Sequence, residues 1–199
     1  MRQVSTAGRV AGRRAAGALV VVSLVLAAGA AFAQPGVISR QEALNAVFAG
    51  ATIRGDRVYL TEEQAERIAE ISRENVRTRI YARYVARRDG VVVGRAYVDT
   101  HVVRTKRESL LISLEPDGRV RRIDVTAFLE PPEYVPSDRW RRQYYERPLG
   151  DDIAIHRAIR PIAGGTLTTH AVNAAVRRVL ALDQVVEGRR PGGEGRGVQ

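Results

Sequence analysis

The chain contains no cysteine. This excludes disulfides, thiolate zinc sites, cysteine-ligated iron–sulfur clusters and c-type haem attachment, so any redox role needs a different cofactor. Histidine is scarce as well: His101, His156 and His170 have no metal-ligand spacing, and no metal site is expected. No serine sits in a nucleophile-elbow sequence. Asp151-Asp152 and the acids between Glu130 and Glu133 lie in loop-like stretches where carboxylates are normally solvated, so no catalytic acid pair and no catalytic residue are assigned. Lysine is nearly absent, Lys106 being the only one, and aromatic residues make up 6% of the chain. The net charge of +10 therefore rests on arginine. Four arginines fall in the acid-free first 33 residues, leaving 10 − 4 = +6 on the rest. Those remaining arginines are scattered, with no stacking aromatic motif beside them, so nucleic acid is not an expected partner.

What the chain does have begins with a stretch that reads as an export signal. Arg2, Arg9, Arg13 and Arg14 precede an uncharged run from Ala15 to Ala33 that ends in the small-x-small site Ala31-Phe32-Ala33. Residues 1–33 read as a signal peptide, or, if retained, as an N-terminal membrane anchor. Either way the remainder is expected to be periplasmic or otherwise extracytoplasmic. At 199 residues and 45% hydrophobic content, there is room for one globular domain with a short tail.

Residues 34–78 read as a helical N-terminal segment. Ser39 with Glu42, and Thr61 with Gln64, are capping-box pairs, each ahead of an apolar helical stripe. Between them, Ala51–Leu60 reads as irregular or briefly extended. Two hairpins follow. Arg79–Arg88 and Val91–Val98 are joined by Asp89-Gly90, and Glu108–Leu114 and Arg119–Phe128 by Glu115-Pro-Asp-Gly118. Thr100–Lys106 reads as a polar connector between the hairpins, and Asp138–Tyr145 as a short helix. A last helix is expected over Thr169–Leu182, with Val172, Ala175, Val176, Val179 and Leu180 on one face. The tail, 187–199, is rich in Gly and Arg and reads as disordered. These elements predict a single α+β domain, an antiparallel sheet of hairpins packed on one side by helices.

The stretch most open to chemistry is Ile162–Leu180, IAGGTLTTHAVNAAVRRVL. Gly164 and Gly165 permit a sharp turn and close approach of a ligand. The helix behind them aims free N–H groups and a positive dipole end at the same place, which suits a phosphate. Thr166 and Thr168 add hydroxyls, and Thr169 suits an N-cap. The same residues also serve as a plain loop and helix cap, and periodicity alone does not separate the two.

Ala163-Gly164-Gly165-Thr166-Leu167-Thr168 resembles the Ser/Thr-Gly-Ala-Thr-x-Thr/Ser motif of the FMN-binding domain family, which includes flavin subunits of the Rnf and Nqr electron-transport complexes. Val91–Tyr97, Glu115–Val125 and Phe128–Glu133 resemble that family's glycine-containing strand, its next hairpin and its Glu-Thr-Pro-Gly segment. The likeness runs from about Tyr81 to Leu182 and implies that 79–186 is an FMN-binding domain. Ala163, Gly165 and Arg160 depart from the family's usual Ser/Thr, Ala and Asp.

The resemblance implies FMN as the cofactor, joined through a phosphoester to Thr166 by a flavin transferase outside the cytoplasm. It implies that Gly164, Gly165 and the amides of Leu167 and Thr168 line the phosphate, and that Glu130 and Pro131 form a loop on the isoalloxazine side. Trp140, Tyr144 and Tyr145 are either ring-stacking or core aromatics, and Lys106 and His101 either touch the phosphate or ribityl chain or sit in a solvated loop. The implied function is electron transfer between a membrane redox complex and an extracytoplasmic acceptor. The alternatives are a periplasmic interaction module of the same fold without flavin, and a flavin-using reductase with its own substrate.

Overall fold

Five strands form a meander: β1 (Thr52–Tyr59), β2 (Ile80–Arg88), β3 (Val91–Val102), β4 (Arg107–Leu114) and β5 (Val120–Phe128). Every neighbouring pair is antiparallel and the spatial order follows the sequence. The structure is a computed structural model and describes residues 34–189, which fall within one compact unit. The expected export segment, and residues 190–199 of the expected tail, lie outside the described residues. The helices are α1 (Arg40–Val47), α2 (Glu62–Ser72), the four-residue α3 (Asp138–Arg141) and α4 (Thr166–Val186). This is the α+β architecture read from the sequence. Among the described residues, no helix is long and apolar enough to cross a membrane.

Local chemistry sets the boundaries. Asp89 and Gly90 have φ of 51° and 80°, the two positive values that a primed two-residue turn demands. Thr61 accepts from the amide of Gln64, whose side chain accepts in return from the Thr61 amide, and this closes a full capping box on α2. Ser39 accepts from the Glu42 amide at the start of α1.

Helices cover both faces of the sheet, not one. Tyr97, Ile112 and Leu114 belong to the larger core under α2 and α4, whereas Ala96 and Leu111 pack with Ala43, Leu44 and Phe48 around α1. Adjacent strand residues point to opposite faces, so α1 lies on the other side. Small residues admit it there: Ala86 and Ala96 are fully buried, and a Cβ on Gly94 would stand 2.5 Å from a Phe48 ring carbon and 2.7 Å from the Leu114 carbonyl oxygen. Gly94→Ala is expected to destabilise the fold by about 1–3 kcal/mol through overpacking, read as a lower urea midpoint at unchanged slope.

Two stretches are more regular than their sequence suggests. Ala51–Leu60 contains a complete eight-residue edge strand, β1, although most of it is exposed and carries no apolar alternation. Its register sets Asp56 opposite Arg83, and the two side chains form a two-pronged ion pair at 3.0 and 2.7 Å. The expected connector Thr100–Lys106 is half strand: β3 continues to Val102, because His101 is buried opposite Glu108 on β4.

Candidate functional site

At the end of the β3–β4 hairpin, Val103 donates to the Lys106 carbonyl at 3.0 Å and closes a tight turn. Three successive amides in this turn, Arg104, Thr105 and Lys106, converge on one carboxylate oxygen of Glu130 at 3.2, 2.7 and 2.8 Å. Such a run of amides forms an anion-binding concavity, here filled by the protein's own side chain. The Thr105 and Lys106 amides do most to hold the Glu130 carboxyl below the usual range. After Glu130, Pro131 leads into a single 3-10 turn, Pro132–Tyr134.

The other wall is the start of α4. Gly164 has φ of 73°, and nothing lies within 4 Å of where a Cβ would be. Gly165 is the N-cap residue; a Cβ there would meet Ile162 at 2.8 Å. Thr169 is therefore not the cap but a residue of the first turn. Its hydroxyl donates to the Gly165 carbonyl and accepts from the Ile162 amide, both at 2.9 Å, which locks the glycine loop to the helix. The first intrahelical bond runs from the Thr169 amide to Gly165, and no side chain caps the helix. The amides of Thr166, Leu167 and Thr168 are thus left for a ligand or solvent.

These three pieces enclose a cleft of about 370 Å³. Gly164, Gly165, Thr166, Leu167, Thr168, Glu130 and Pro131 all line it, although Glu130 and Thr166 are 36 positions apart in sequence (166 − 130). Lys106 does not line it, and contributes its amide to Glu130 instead. Val103, Arg104, Thr105 and Tyr134 complete the lining. The sequence signals for these were the polar connector and the proline-rich loop, but neither named the individual side chains. The wall combines free helix-end amides and the Thr166 hydroxyl with the apolar surfaces of Val103, Pro131, Tyr134 and Leu167. A larger groove of about 720 Å³ beside α2 brings together none of the predicted site residues.

The aromatic candidates lie elsewhere. Tyr144 is fully buried and packs edge-on against Trp140 at 5.6 Å. The Trp140 indole donates to the Arg160 carbonyl at 2.7 Å, and Tyr145 also packs on the core. The aromatic residue at the cleft is Tyr134.

His101 is likewise absent from the cleft. It is buried between Asp99 (2.9 Å) and Glu108 (3.0 Å), beneath the turn that walls the cleft. Burial opposes a charge on the imidazole, but the hydrogen bonds to Asp99 and Glu108 outweigh it and push His101 up to about 9. Glu108 is raised, chiefly by burial. A histidine raised above its unfolded value stabilises the fold fully below about pH 6.5, and this contribution is lost as pH climbs through 9. Chemical denaturation at pH 7 and pH 10 is expected to show a loss of about 3 kcal/mol at most, and His101→Gln should flatten it. Tyr81 and Tyr97, both pushed up to about 12 mainly by burial, stay neutral across that window.

Compared with protein-family models, with curated proteins and with solved structures, the chain matches none.

Proposed function

We propose that the protein is an exported flavoprotein that carries FMN in the cleft at the start of α4, joined by a phosphoester to Thr166, and relays electrons between a membrane redox complex and an extracytoplasmic acceptor. The observation that carries this reading is the meeting of the uncapped α4 N-terminus with the Glu130–Pro131 loop in one cleft. The sequence motif accounts for the first alone.

The residues present suit the group. About 370 Å³ lies within the roughly 300–1,000 Å³ typical of small-molecule sites. The free amides of Thr166, Leu167 and Thr168, with the helix dipole behind them, favour a phosphate. Thr166 is exposed, so its hydroxyl is open to a transferase, whereas Thr168 is buried. Tyr134, Pro131 and Leu167 offer apolar surface to a planar ring. Glu130 acts on the wall itself, holding the 104–106 amides in place. When bound, the isoalloxazine takes up and releases one or two electrons.

The test is to produce the full chain in a cell with a flavin transferase and to measure its intact mass and visible absorbance. The expected result is a coloured protein heavier by one esterified FMN. A colourless, unmodified protein overturns the reading and leaves the flavin-free interaction module.

A further inference from the structure

The sheet is split between β2 and β3. Their pairing ends at Arg83 and Tyr97, whereas β1 stays paired with β2 to Ile80, and β4 stays paired with β3 to Val102. The inner edges of Ile80–Ala82 and Val98–Val102 thus diverge, leaving a cleft of about 350 Å³ floored by Arg178 of α4. The backbone beyond the split is not simply frayed. Arg79 gives its carbonyl to Leu60 on the β1 side, so by antiparallel alternation Ile80 and Ala82 direct their groups into the split. The Thr78 hydroxyl stands in for the missing strand at Ile80, bonding both its amide (3.2 Å) and its carbonyl (3.3 Å). Val103 bonds within the β3–β4 turn, and the same alternation turns the Thr100 amide and carbonyl toward the split.

The cleft is rich in donors and positive. Arg178 uses Nε and Nη2 on Asp99, at 3.1 and 3.0 Å, and its Nη1 has no protein partner among the described residues. Arg77, exposed at the mouth, forms no ion pair among them either. Asp99 is the one carboxylate in the lining, and Arg178 and His101 already neutralise it. Glu108 engages His101 from β4, and Glu74, half-buried on the connector before β2, adds a further acid near Arg178. Neither lines the cleft.

We propose that the split between β2 and β3 is a second binding site, for a small molecule that presents an oxyanion, carboxylate or phosphate, to Arg77 and Arg178. The site is distinct from the flavin cleft: it shares no lining residue with the cleft at the start of α4.

Succinate and inorganic phosphate are the probes, titrated calorimetrically into the full chain at low salt, with and without flavin. Saturable binding of one of them is expected, and the tighter of the two identifies the oxyanion. Arg77→Ala should weaken it by about tenfold or more, the loss of one charged hydrogen bond. Arg104→Ala, in the other cleft, should leave it unchanged. Arg77 is exposed, so its variant tests binding without threatening the fold. The proposal is overturned if neither anion binds saturably, if Arg77→Ala binds as the parent does, or if binding disappears on flavin loading or with Arg104→Ala.

Discussion

Thr166→Val is expected to abolish covalent flavin while leaving the fold unchanged. Thr166 is the first residue of α4 and is exposed, and its hydroxyl makes no hydrogen bond among the described residues. Valine keeps the branched shape and removes only the oxygen, so the stability change should stay within about 0.5 kcal/mol. Thr168 offers no substitute nucleophile, because it is 2% exposed. Thr169 offers none either, since its hydroxyl is engaged with Ile162 and Gly165. Thr166→Ser retains an oxygen at the same place and should retain the linkage. The readout is flavin fluorescence of the denatured protein together with intact mass. Flavin still attached in Thr166→Val would place the bond on another residue. Loss of the bond with flavin still bound in the native protein would show that the free amides at the start of α4, together with the rest of the cleft, hold FMN without the ester.

The contiguous half of this cleft was legible in the sequence because its parts are neighbours. Two glycines and the threonines before an apolar stripe describe a loop entering a helix, and that is what forms at Gly164–Thr169. The cap itself was misplaced by a simple competition. Threonine is a good N-cap, but here its hydroxyl serves Ile162 and Gly165 better from inside the first turn, and the helix begins at Thr166. The other half needed the strand register. Glu130 meets residues 104–106 only because β5 pairs with β4 as far as Phe128 and Glu108, bringing the end of β5 beside the β3–β4 turn. Edge strand β1 reads from sequence only as irregular or briefly extended for a different reason. An exposed strand has no buried face to impose alternation, and its place is fixed by pairing with β2 and by the Asp56–Arg83 ion pair. Least visible were the buried charges. Arg178 lies 79 residues from Asp99, and nothing in a helical or strand period distinguishes a charge that will be buried with a partner from one that faces water.

Among those buried charges Asp99 joins two cations, and Asp99→Ala should lower stability by about 3–5 kcal/mol. Asp99 is 3% exposed and accepts from His101 Nδ1 and from two nitrogens of Arg178. Burial alone would raise its pKa, but the hydrogen bonds from His101 and Arg178 hold it below the usual carboxylate range. Removing the carboxylate leaves two buried cations facing a void, with Glu108 as the only acid still bonded to His101. It also removes the first interaction that keeps His101 protonated, so the alkaline loss of stability should begin at a lower pH than in the parent. Asp99→Leu combined with Arg178→Met removes the charge pair and fills the space, and should recover much of the loss, as replacing a buried ion pair with apolar groups often does. Urea unfolding of the parent, both single variants and the double variant closes the cycle, and a coupling of about 0.5–3 kcal/mol or more is the sign that the pair acts as a unit. Single variants that add without coupling would mean that Asp99 stabilises the fold through His101 rather than through Arg178. The consequence reaches the cleft as well: β3 runs from Asp99 to Val102 and then into the turn that Glu130 holds, so a chain loosened at Asp99 should also release non-esterified flavin more readily. Unchanged flavin retention in a clearly destabilised Asp99→Ala protein would show that the Glu130 contacts alone keep that wall in place.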